Sequence, residues 1–129
     1  MIARVKGGVI VSIISTAGYR GEPVNVANGT SNTGLLNFTR STAMKLVRYS
    51  IRGVNLTPTV TEPSEMFERG HRWGRSVTEP DGLATLKGKF SRRISMQALP
   101  KPSDYARALA FLVSDGAAMM TGSDLRIDV

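Results

Sequence analysis

Residues 7–21 read GGVIVSIISTAGYRG and residues 28–48 read NGTSNTGLLNFTRSTAMKLVR. From Val9 to Ile14 every position except Ser12 is β-branched. A short run of this kind, apolar on both faces, predicts a central strand covered by helices on both sides. Ser15, Thr16, Ala17 and Gly18 end it with small residues and a turn. From about Ala27 to Tyr49 the apolar period changes to that of a helix. Leu36, Ala43 and Val47 share one face, with Leu35, Thr42 and Leu46 beside them. Strand, serine, turn, helix is the layout of an α/β site, where ligands bind as strands end and helices begin.

Working outward, Met1 to Lys6 precede this strand, and the whole start also has the pattern of a signal peptide: basic, then apolar, then small. The β-branched run fits a buried strand, and that is the expectation here. No segment is long and apolar enough to span a membrane, so no membrane partner is expected and the chain is placed in the cytoplasm. Downstream, Ile51 to Thr57 reads as a second strand stopped by Pro58. Residues 63–101 are weakly periodic and charged, and read as a mobile lid inserted in a single domain spanning 1–129. Pro102-Ser103-Asp104 opens a helix with Ser103 or Asp104 as cap, and Ala106, Leu109, Ala110 and Val113 form its expected buried stripe. Ser114-Asp115-Gly116 closes it, and Asp124 to Asp128 is a last strand. Right-handed crossovers would then give about three adjacent parallel strands.

Composition narrows the chemistry. There is no cysteine and only one histidine, His71, which excludes a disulfide framework and thiolate or histidine-rich metal sites. The formal net charge is +7, but basic residues from Arg69 to Lys101 are interleaved with Glu79 and Asp81 and few aromatics. A nucleic-acid or polyanion role is therefore the least favoured reading. No GxGxxG or P-loop spacing occurs in the 129 residues.

Taken together, GGVIVSIISTAG, NGTSNTGLLNFTRSTAMKL, IRGVNLTP and KPSDYARALAFLVSDGAAMMTGSDLRIDV resemble the C-terminal half of a short-chain dehydrogenase/reductase. The resemblance implies an α/β, partial Rossmann-like fold of three layers, an NAD or NADP cofactor, and hydride exchange with small carbonyl or alcohol substrates. Ser15 stands at the family's catalytic serine. The family's YxxxK pair falls thirteen and then four residues on, at Asn28 and Asn32, so both functional residues are substituted. The turn beside the nicotinamide corresponds to Pro58-Thr59, with Thr61 near the expected threonine. The family's cofactor half would precede Met1.

An asparagine amide has no ionisable proton near neutral pH, so it cannot protonate an alkoxide as a tuned tyrosine does. The chain is accordingly expected to be truncated and inactive by itself, and to bind cofactor poorly. The first strand would have an unpaired edge, so a homo-oligomer or another partner covering it is expected. The alternative reading is an interaction module built on the long helix and the C-terminal helix and strand, which form subunit interfaces in the family the chain resembles.

Overall fold

The computed structural model describes residues 7–21, 26–61, 92 and 95–128. In chain order these form β1 (Gly8–Ile13), α1 (Val26–Leu46), β2 (Ile51–Pro58), α2 (Pro102–Val113) and β3 (Asp124–Ile127). The strands make one parallel sheet in the order β1-β2-β3. Gly8 to Ile13 pair with Ile51 to Leu56, and Asn55 to Pro58 with Asp124 to Ile127. The segment expected to be a lid lies mostly outside the described residues, as does His71.

Side chains alternate across a strand, and the two faces differ in chemistry. Val54, Leu56 and Leu112 form the buried apolar core on one face, with Val9, Val11, Tyr105, Ala108, Met120, Leu125 and Ile127 packed around them. This is the face that α2 covers. The other face presents Ser12, Gly53, Asn55, Thr57 and Asp124 to α1. There Thr39 donates to Ser12 Oγ at 3.0 Å. Ala43 lies so close to β2 that a Cβ on Gly53 would sit 3.3 Å from its own Cβ.

Two expectations change here. With strands in the order β1-β2-β3, two right-handed crossovers would place both helices on one face. They lie on opposite faces, so the two connections have opposite hands. The rule acts through a helix fed directly by its strand, and the second connection is long, from Thr59 to Lys101. Further, the buried central strand is β2. The β-branched β1 is half-buried and, among the described residues, is paired on one side only.

The helix ends follow local chemistry. α1 runs into a 3-10 turn at Val47–Tyr49, and Ser50 stops it in the left-handed region, at φ 56°, with its N–H bonded to Val47 O at 2.9 Å. α2 begins with Pro102, whose missing N–H costs nothing in a first turn. The cap is Lys101, two residues before Ser103 and three before Asp104, the expected caps. Asp104, in the third helical position, accepts the Lys101 N–H at 2.7 Å. The buried stripe of α2 also differs: Tyr105, Ala108 and Leu112 face the core, while Leu109 and Val113 are exposed. At its far end the Arg52 guanidinium donates to the carbonyls of Leu112 at 3.0 Å and Met120 at 3.2 Å. A cation there meets the negative end of the helix.

Candidate functional site

The residues singled out from sequence gather at the C-terminal ends of β1 and β2. Ser15 leaves β1 in extended conformation and caps a 3-10 turn, Thr16–Tyr19. Its hydroxyl accepts the Ala17 N–H at 3.2 Å, which leaves its own proton free to donate to another oxygen. Ser15 lies two residues past Ile13, as Pro58 lies two past that residue's partner Leu56, so both sit at the same level of the sheet.

The turn is seated on the opening turns of α1. A Cβ on Gly18 would sit 3.0 Å from the carbonyl carbon of Asn32, tighter than ordinary packing, so glycine favours this approach. Thr33 Oγ1 donates to Gly18 O at 2.9 Å. The sequence of α1 is poor in helix formers here, and these contacts compensate. Asn28 and Asn32 are one helical turn apart. The Asn32 side-chain amide donates to Asn28 O at 2.8 Å and to Asn28 Oδ1 at 3.0 Å. The fold thus brings the two asparagines together beside the turn that carries Ser15. Neither residue is ionisable near neutral pH.

Pro58, Thr59 and Thr61 are half-buried where the chain leaves β2. The Thr61 hydroxyl is 3.5 Å from Thr59 O, and the Tyr105 hydroxyl donates to the same carbonyl at 3.4 Å. Tyr105 has Leu109 four residues on, so no lysine follows it at the family spacing. Its place in the first turns of α2 was the signal that it points back toward the end of β2. Burial is the main cause of its raised pKa, which keeps it protonated and a donor.

Tyr19 also comes near this corner, and its environment excludes it as a substitute acid. Its hydroxyl donates to an Asp124 carboxylate oxygen, and the other carboxylate oxygen accepts from Thr57 at 2.5 Å. Partial burial and then the Asp124 hydrogen bond push the Tyr19 pKa up to about 12. The Arg126 guanidinium, 5.2 Å above the ring, opposes this without reversing it. A catalytic phenol needs the opposite, a neighbouring cation that lowers its pKa. The role of Asp124 was missed because it depends on cross-strand pairing, which no local pattern encodes. Among the described residues no cluster of His, Cys, Asp and Glu is arranged to hold a metal, and no helix is long and apolar enough to cross a membrane.

Comparison with known proteins identifies the family. A family model described as enoyl-(acyl carrier protein) reductase matches residues 2–129. An "uncharacterized oxidoreductase" of Thermotoga maritima is 36% identical over 122 residues, covering 95% of this chain and 46% of that protein. The 4-formylbenzenesulfonate dehydrogenase of Comamonas testosteroni is 30% identical over 121 residues, covering 94% and 45% respectively. The solved structure of an NAD+-bound xylitol dehydrogenase superposes with a TM-score of 0.83 at 29% identity, over 98% of this chain and 50% of that one. The chain therefore spans about half the length of the relatives it matches. A family match over nearly every residue, and a Rossmann-type sheet shared with dehydrogenase structures, show that the chain belongs to the short-chain dehydrogenase/reductase family.

Proposed function

We propose that this chain is the substrate-side half of a short-chain oxidoreductase whose proton-transfer pair has been replaced, and that by itself it does not complete hydride transfer. The Asn28–Asn32 pair carries this reading. The two amides occupy the Tyr and Lys positions, bond to each other, and supply neither an acid nor a cation. Ser15 can still donate a hydrogen bond to a carbonyl oxygen. Polarising a carbonyl without a proton donor forfeits about 10²–10⁴ in rate.

In this family a nicotinamide dinucleotide supplies or accepts the hydride. The residues present fit it poorly. No ammonium stands at position 32 to hold a ribose, the Asn32 amide is already committed to Asn28, and the 129 residues contain no glycine-rich phosphate turn. Pro58, Thr59 and Thr61 are the positions that would face the nicotinamide side. No step through the cofactor is assigned, and NAD and NADP are equal candidates. The test is NADH and NADPH oxidation by the purified chain with a panel of small aldehydes and ketones. The expected result is no turnover above background. Turnover abolished by Ser15→Ala would contradict the reading.

A second reading, an interaction module, is favoured by two observations. β1 has no paired strand on its outer edge among the described residues, and Phe38 of α1 is 58% exposed with Leu35 nearby on the same helix. An open apolar edge of this kind invites another chain. Sizing at several concentrations and salt levels tests it: a specific oligomer persists at high salt, whereas charge-driven association of this +7 chain weakens.

A further inference from the structure

The sheet face beneath α1 is polar where a helix-on-sheet layer is ordinarily apolar. Ser12, Asn55 and Asp124 form one row across the three strands, because Ser12 pairs with Asn55 and Asn55 with Asp124. Thr39 of α1 lies over the β1 end of the row, donating to Ser12 Oγ at 3.0 Å. Asp124 at the other end accepts from Tyr19 and Thr57. Asn55, between them, is 1% exposed, and neither its Oδ1 nor its Nδ2 has a hydrogen-bond partner. The backbone around it is satisfied, with the Asn55 N–H bonded to Ser123 O at 2.9 Å.

A buried amide with both ends unmet opposes folding strongly, and native structures seldom leave one so. Ser12 and Asn55 project from neighbouring strands about 4.8 Å apart. The two side chains make no hydrogen bond to each other, and one bridging molecule between them would supply the missing partner. Ser12 Oγ already accepts from Thr39, so its own proton is available to donate. A water needs two to four polar partners, and Asn55 Nδ2, Asn55 Oδ1 and the Ser12 hydroxyl supply a donor, an acceptor and a donor. We propose that Asn55 holds one buried water molecule between β1 and β2, bonded to its side-chain amide and to Ser12, beneath Thr39. This water ties β1 to β2 three residues before Ser15, and does so whatever the chain's activity.

The test is a high-resolution crystal structure of the full 129-residue chain, together with thermal melts of Asn55→Leu and Ser12→Ala. The expected result is an ordered water within hydrogen-bond reach of the Asn55 amide and Ser12 Oγ. Each variant should then melt lower, by roughly 3–6 °C for Ser12→Ala. A dry amide, a direct protein partner on it, or a higher Tm for Asn55→Leu overturns the proposal, because removing an unmet polar group stabilises. If Asn55→Leu does not fold, Ser12→Ala decides: a Tm at or above that of the unaltered chain overturns it.

Discussion

Asp124 satisfies two hydroxyls at once, one from the turn after β1 and one from β2. Its link to Tyr19 sets a pH dependence. The Tyr19 pKa of about 12 lies above the ordinary tyrosine value, so the folded chain holds the phenol proton more tightly than the unfolded chain. The stabilisation is complete below about pH 10 and is lost as pH rises toward 12. Removing the carboxylate charge with Asp124→Asn should lower the Tyr19 midpoint, read from phenolate absorbance; an unchanged midpoint would show that burial alone sets it. At this scale the sequence was partly legible. That Ser15, Asn28 and Asn32 lie near one another could be read by counting, because serine, turn and helix are contiguous. Tyr105, Asp124 and Asn55 could not, because their roles depend on residues more than forty positions away in sequence.

Between the elements, packing decided what periodicity left open. α2 is apolar at most of its twelve positions, so several stripes fit the helical period. The stripe through Leu109 and Val113 reads well in sequence, yet docking on Val54 and Leu56 selects Tyr105, Ala108 and Leu112. Leu112→Ala should therefore cost about 2–5 kcal/mol in urea unfolding, as for a fully buried leucine. Leu109→Ala should stay within about 1 kcal/mol, as at an exposed position. Equal losses would contradict the assignment. The strands show the same limit. β1 looks central because it is β-branched, whereas the buried strand is β2, whose Gly53, Asn55 and Thr57 lower its apparent hydrophobicity. Its burial became visible only with strands paired on both sides and α1 seated on Gly53. The element order and parallel pairing were legible, since each strand and helix has its own period and stop signals. The opposite hands of the two connections were not, because nothing local specifies which face a distant helix will cover.

For the whole molecule, the sheet and its two covering helices match the fold of a dehydrogenase structure over about half its length. Family membership fixes the scaffold, while chemistry depends on the residues mounted there. At the site proposed above those residues would be Ser15 and two amides bonded to each other, with Tyr19 at the same corner held above its ordinary pKa. The central proposal is that these 129 residues hold the fold but do not by themselves bind a dinucleotide. The most direct measurement is calorimetric titration of NAD(H) and NADP(H) into the purified chain, with a thermal-shift control for folding. The account predicts a cooperative melt and no binding heat at millimolar cofactor. Micromolar binding of either dinucleotide would contradict it.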